Sequence, residues 1–269
     1  MKSKKLATLL ETINNAPIME NSFLILGGGK FGQIAIDYAL HQKNLSFLLI
    51  IDKEFNQMLN AFEKISNIHD LKDLSRYIQR KFFLQQDISF TSELFLKFFP
   101  QYIVPAIPVH VVATIMESLI LSAHPIRSLE HTIPHEKWVQ LLETIPKDVI
   151  LKEDYKNGVI LVSWAKIDEL CPPYCTAPLM YCLHHHRDKP KTITSIARSI
   201  TIPHLTNFTI ESHQVESGLG IIQGNELKKM ILDCLTMIQQ AWENDQSIIR
   251  FLLATTCNCH GIINIFSFE

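Results

Sequence analysis

The stretch Phe23–Asp52, "FLILGGGKFGQIAIDYALHQKNLSFLLIID", constrains the fold of this chain more than any other. An apolar run, Ser22–Leu26, meets a row of glycines. A helical pattern follows, "QIAIDYALHQ", and then a second apolar run, Ser46–Asp52. Strand, glycine turn, helix and strand make the repeating unit of a parallel sheet. Gly27, Gly29 and Gly32 have the spacing G-x-G-x-x-G, with Gly28 as an extra glycine. Gly27 permits a tight turn, Gly29 lets backbone approach a pyrophosphate, and Gly32 lets the helix pack close to the sheet. Lys30 and Phe31 open that helix, whose free N–H groups and positive dipole end suit an anion. Asp52 closes the second strand, twenty residues beyond Gly32, where a ribose-binding acid belongs. Its carboxylate would repel a 2′-phosphate, which favours NAD over NADP. The competing reading is a glycine turn kept for close packing alone.

The alternation continues. "KFFLQQD" gives a third strand ending at Asp87, and "QYIVPAI" a fourth. "TSELFLKFF" reads as a helix capped by Thr91 or Ser92, and "VVATIMESLILSA" as another. Helical patterning also follows Glu54 and spans Leu71–Gln79. Continuously apolar strands between helices predict a parallel sheet covered on both faces. Pro108 and His110 end the fourth strand, on the side where ligands bind in such sheets. His110 is thus a candidate catalytic acid or base, with helix capping or domain packing as the alternative.

On these residues the first part of the chain resembles the NAD-binding half of the TrkA-type (RCK) potassium-transport regulators. "QQD" at Asp87 is similar to that family's acidic turn after a later strand. The triple glycine is also similar to the dehydrogenase domain of siroheme synthases. The resemblance implies a Rossmann-type domain over residues 1–125 that binds NAD through Gly27, Gly28, Gly29, Lys30, Phe31, Gly32, Asp52 and Asp87. For Asp87, a turn or capping role stands beside the ligand contact. The regulators among these relatives imply a nucleotide- or redox-sensing role without chemistry.

A proline-bearing segment, residues 126–147, reads as a junction, and the pattern beyond it changes. "GVILVSWAKI", "NFTIESHQ" and two runs in "SIIRFLLATTCNCHGIINIFSF" read as strands. "SGLGIIQGNELKK" is a glycine-rich turn entering a helix, with Asn225 as its cap. The fold class is therefore α/β: a Rossmann-like parallel sheet, then a smaller α+β domain at residues 148–269 that contains cysteines.

Five of the six cysteines lie in two loops of this second part. "CPPYCTAPLMYC" holds Cys171, Cys175 and Cys182, and "CNCH" holds Cys257, Cys259 and His260. Cys234 falls in a helical pattern and reads as core. The spacings are neither those of zinc ribbons nor those of ferredoxins. Prolines stiffen the first loop, which lowers the cost of ordering a site. If the final hairpin folds beside that loop, the thiolates converge on a metal: an iron–sulfur cluster in preference to zinc. A redox-active dithiol and plain buried cysteines are the other readings. "HHHRDKPK", from His184, reads as a polar basic loop, and His213 as a minor site candidate.

A chain 47% hydrophobic and 19% charged builds a core, and a net charge of −2 gives no general attraction for nucleic acid. The start, "MKSKKLATLLETINNAP", is interrupted by Glu11 and reads as an amphipathic helix, not a signal peptide. Tyr102–Ala123 is apolar but carries Pro105, Pro108, His110 and Glu117, so a membrane span is not expected. These features predict a cytoplasmic protein, where disulfides are rare and clustered cysteines serve metal or redox chemistry. The expected function is an NAD-dependent oxidoreductase with a thiolate-bound metal centre. Its expected partners are a small-molecule substrate or effector and a second copy in a homodimer. The alternative is a regulator of the RCK type.

Overall fold

The computed structural model describes residues 2–55, 57–71, 80–123, 129–169, 171–172, 175–246 and 248–268. The chain divides into two units of nearly equal size. Unit 1 comprises residues 1–123 and takes back Ile221–Leu232; unit 2 comprises 124–220 and 233–269. The linear division read from sequence does not contain this return.

Unit 1 begins with α1 (Lys2–Asn15) and β1 (Ile18–Leu26). It continues through α2 (Lys30–Leu40), β2 (Phe47–Asp52), β3 (Glu63–Ile65) and β4 (Arg80–Gln85). Then come α3 (Thr91–Phe95), β5 (Phe99–Pro105) and α4 (Val111–Ala123). Hydrogen-bonded neighbours run β5-β1-β2-β4-β3, all parallel. A strand from much later in the chain, Leu219–Gln223 (β12 in chain order), pairs antiparallel with β5 through Ile222 and Gln223. Leu24, Ile25 and Leu26 of β1 and Leu48–Ile51 of β2 are fully buried, as strands with both faces covered must be. Strand order runs outward from β1 to β2 and β4, then resumes on the other side with β5. Strand order thus reverses between β1 and β5.

Two local readings change here. The helical pattern after Glu54 becomes a 3-10 turn, Gln57–Ala61, and β3. Residues 72–79 of the Leu71–Gln79 reading lie outside the described residues. Neither Thr91 nor Ser92 caps α3. Asp87 instead caps the 3-10 turn Ile88–Phe90 before it, accepting from the Ser89 N–H at 2.9 Å.

Unit 2 opens with α5 (His135–Thr144), inside the segment read as a junction. Trp138 and Leu141 of this helix are buried in the unit's core beside Val149, Ile160, Trp164 and Ile196. The junction is thus part of the second unit's core, because its apolar residues recur at helical spacing between the prolines. The strands are β6 (Ile150–Asp154), β7 (Val159–Ser163), the short β8 (Tyr181–Cys182) and β9 (Arg187–Asp188), and, after α6 (Ile193–Arg198), β10 (Thr206–Glu211). β11 (His213–Glu216) leads through Gly218, at φ 74, into β12. Helix α7 (Gly224–Glu243) follows, then β13 (Ile249–Thr256) and β14 (His260–Phe268). The second sheet has the order β10-β13-β14-β7-β6, with β10 and β13 parallel and the other pairs antiparallel. Among the described residues, no helix is long and apolar enough to cross a membrane.

Replacing Trp138 by alanine is expected to destabilise unit 2 by about 3–5 kcal/mol, since a large buried side chain leaves a cavity. Denaturant unfolding followed at the second unit checks this. A loss below about 1 kcal/mol would mean that α5 is not core.

Candidate functional site

In unit 1 the glycines lie between β1 and the first turn of α2, and their surroundings differ. Gly27 has φ 105, and a Cβ there would meet Ile107 Cγ2 at 2.5 Å and the Ala106 carbonyl oxygen at 2.8 Å. A Cβ on Gly32 would lie 1.9 Å from the Gly27 carbonyl oxygen, so α2 touches the turn through a bare Cα. A Cβ on Gly29 would meet nothing within 4 Å. Gly29 is also the N-cap of α2, and no side chain caps that helix. Lys30 and Phe31 follow on the surface, with Phe31 54% exposed.

Asp52 turns back on the glycine loop. One carboxylate oxygen accepts the Gly28 N–H at 2.5 Å and the other the Glu54 N–H at 2.9 Å. Sequence spacing alone does not reveal this bracing role. Each oxygen keeps capacity for a further donor. A cleft of about 390 Å³ lies at the strand ends, lined among others by Asp52, Lys53, Asp87, Ile107 and Val109. His110 follows Val109 but is buried, 7% exposed, and is not among the residues lining this cleft. Its carbonyl accepts the Thr114 N–H at 3.0 Å, at the start of α4. Asp87 pairs with Lys53 at 2.7 Å. The Lys53 ammonium, then the Ser89 N–H, hold its carboxyl down at about 2.

In unit 2 the sheet builds the site. β13 ends at Thr256 and β14 begins at His260, and the hairpin register pairs Thr256 with Gly261. His260 pairs with Ser163 at the end of β7, and Thr256 with Glu211 at the end of β10. The "CNC" turn therefore stands at one end of the sheet, beside the loop that leaves β7. That loop carries Cys171 and Cys175 and runs into β8, where Cys182 lies. Asn258 Nδ2 donates to the Ala177 carbonyl at 3.0 Å, and Trp164 N–H to the Cys259 carbonyl at 2.9 Å.

The two cysteine loops thus meet across some eighty residues of sequence. Cys171 Sγ lies 3.5 Å from His260 Nε2, and Cys257 Sγ 3.8 Å from His260 Nδ1. Partial desolvation, then the nearby thiols of Cys175, Cys259, Cys182 and Cys257, push the Cys171 thiol up to about 11. Burial raises Cys257 and Cys259 as well, and lowers His260. Backbone N–H groups point at the sulfurs: Ala177 to Cys175 at 3.3 Å, and Cys259 and His260 to Cys257 at 3.5 and 3.4 Å. All six cysteines are free, and Cys234 is buried away from this group. Among the described residues, no three His, Cys, Asp or Glu side chains are arranged as they stand to hold a metal ion.

"HHHRDKPK" is largely the polar loop its composition suggests, but one of its side chains turns inward. Lys189 is completely buried. Its ammonium donates to the Pro178 carbonyl and to Cys259 Sγ, the latter at 3.0 Å. Its N–H donates to the Met180 carbonyl at 2.8 Å. Arg187 forks onto Glu169 at 2.8 and 2.9 Å. His185 has a side chain only 13% exposed, and its Nε2 is buried without a partner among the described residues. Sequence reasoning missed Lys189 and His185 because composition reports polarity and not which side chain turns inward. Their place within seven residues of Cys182 was the available signal.

The class of protein is then an α/β chain of two units, one with a glycine-loop crevice and one with a cysteine–histidine–lysine cluster. The chain belongs to the AF_1314 family, whose models match residues 23–111, described as "Uncharacterized protein, N-terminal domain", and 112–269, described as "Uncharacterized protein, C-terminal domain". It is similar to an "Uncharacterized protein" of Archaeoglobus fulgidus, with 27% identity over 244 residues that cover 89% of this chain and 96% of that one. No solved structure matches it significantly.

The Asp87 carboxyl titrates lower folded than its unfolded value of about 3.9. The Lys53–Asp87 pair therefore stabilises above about pH 4 and loses that contribution as pH falls towards 2. Asp87→Asn is expected to be less stable than the parent at pH 6 and to converge with it near pH 2. Unfolding midpoints measured across that range check this.

Proposed function

We propose that the protein is an NAD-dependent oxidoreductase with a thiolate-bound metal centre in its second unit. The observation that carries the thiolate reading is Lys189. Its fully buried amine donates to Cys259 Sγ, and because burial raises that thiol, a bound metal that displaced the proton would give the contact its anion. Five thiols in mutual range resist ionising together, and a bound cation removes that resistance. The donors at hand are Cys171, Cys175, Cys182, Cys257, Cys259 and His260, with His185 beside them. An iron–sulfur cluster is the leading occupant, because thiolates outnumber the other donors and a redox centre suits a nicotinamide partner. Zinc is the second reading. The 3.5 Å between Cys171 Sγ and His260 Nε2 favours it. Two ligands on one tetrahedral zinc, with bonds of about 2.3 and 2.0 Å, stand about 3.5 Å apart.

The nucleotide reading rests on unit 1. Its strand order, its reversal between β1 and β5 and the three glycine roles support a Rossmann-type site for NAD. The open Gly29 and the uncapped start of α2 suit a pyrophosphate. The carboxylates of Asp52 and Asp87 suit ribose hydroxyls and oppose a 2′-phosphate. The buried His110 favours a second reading, a nucleotide- or redox-sensing regulator, because an acid–base catalyst must reach its substrate.

Anaerobic purification without chelators, followed by metal and sulfide analysis and a visible spectrum, tests the centre. Iron, sulfide and a broad band near ~400 nm are expected for the leading reading, and one colourless zinc for the second. Lys189→Met is expected to lower the bound metal, and metal-free parent protein would sink the centre altogether. Gly29→Ala is expected to leave the melting temperature unchanged and to weaken NAD binding by about tenfold or more, since its methyl fills space that only a ligand would use. Unchanged NAD affinity in that variant would refute the crevice assignment.

A further inference from the structure

A nitrogen and a sulfur touch in the interior of unit 2. Lys189 Nζ lies 3.0 Å from Cys259 Sγ. The lysine is wholly buried and the cysteine only 7% exposed. The two residues stand seventy positions apart, one just after β9 and the other at the tip of the β13–β14 hairpin.

Both partners are held in place. The Lys189 backbone N–H donates to the Met180 carbonyl at 2.8 Å, and its Nζ also donates to the Pro178 carbonyl. Trp164 N–H donates to the Cys259 carbonyl at 2.9 Å, and Cys259 N–H to Cys257 Sγ at 3.5 Å. Groups fixed in contact in this way react as if highly concentrated. The other loop thiols face different groups. Cys171 and Cys257 meet the His260 ring, and Cys175 meets the Ala177 N–H. A cysteine oxidised to its sulfenic acid condenses with a neighbouring thiol or nitrogen. At Cys259 the group in contact is an amine.

We propose that Lys189 and Cys259 form a reversible sulfenamide cross-link when the protein meets hydrogen peroxide. In the first step the peroxide takes two electrons from the Cys259 sulfur. Its O–O bond breaks, the thiol becomes a sulfenic acid, and one water leaves. In the second step Lys189 reacts as the free amine, its extra proton having gone to solvent. The nitrogen lone pair attacks the sulfur, the N–S bond forms and the S–O bond breaks. The departing hydroxide takes a proton from the nitrogen and leaves as a second water. Amine, thiol and peroxide thus give one N–S bond and two waters. The bridge is neutral and joins the two loops covalently. A bridged Cys259 holds no metal, so peroxide and metal compete for one sulfur. The inference goes beyond the proposed centre and does not need it.

The test exposes the full-length protein to millimolar hydrogen peroxide, as purified and after a chelator has removed any metal, with metal content measured on each sample. Remaining thiols are alkylated, and tryptic peptides are analysed by mass spectrometry without reduction. Trypsin leaves Lys189 in peptide 188–191 and Cys259 in peptide 251–269. The expected product is these two peptides joined, about 2 Da lighter than their sum, with Cys257 alkylated. Dithiothreitol is expected to separate them, and bound metal to suppress their joining. Lys189→Arg, which keeps the charge, and Cys259→Ser are each expected to abolish the product. Absence of the joined pair from both samples of the parent protein would overturn the proposal, as would a Cys257–Cys259 disulfide in its place. A joined pair about 16 Da heavier than expected, an N–O–S bridge, would overturn the N–S bond. The joined pair in protein purified without metal would leave this inference standing and sink the metal centre. Bound metal, with no joined pair after its removal, would do the reverse.

Discussion

An ammonium group with no exposure to water has to be neutralised where it lies. Lys189 meets that requirement with a carbonyl and a cysteine sulfur drawn from two different loops. Its side chain therefore does two things at once. It ties the proline-rich loop to the tip of the last hairpin, and it places a hydrogen-bond donor among the cysteine sulfurs. An apolar residue of the same length would preserve the packing and lose the charge. Arginine would keep the charge but present a broad planar fork where a single point is called for.

The sheet explains why residues so far apart in sequence arrive together. An antiparallel hairpin brings its two strand ends to one point, and the neighbouring strands β7 and β10 deliver their own ends to the same edge. Loops at a sheet end carry chemistry because rigid strands position them and nothing in the core restricts their sequence. The first unit uses the same logic with parallel strands. There the glycine turn and the ends of β2, β4 and β5 share one rim, and Asp52 braces the turn through the Gly28 N–H.

How much of this was legible varied with how local the cause was. The runs that became β1, β2, β4 and β5 were legible because continuous apolar residues between helices leave few alternatives. α4 coincided with its apolar pattern, and the final hairpin with the turn at "CNCHG". β3 was not legible, because three residues give no period to read. α5 was masked by the prolines at either end of it, which suggested a linker. The burial of Lys189 had only its nearness to Cys182 as a signal, since its side-chain partners come from eleven and seventy residues away. Proximity of the two cysteine loops was inferable from concentration alone, but which sulfur faces which nitrogen was not.

The return of Ile221–Leu232 to the first unit has a consequence for how the chain acquires its structure. β5 is synthesised more than a hundred residues before its antiparallel neighbour β12. During translation the β5 side of the parallel sheet lacks that partner and presents open backbone donors and acceptors, the kind of surface on which chains associate wrongly. The second unit's residues 124–220 emerge in that interval. The two units therefore cannot mature strictly one after the other, and no single cut in the chain separates them.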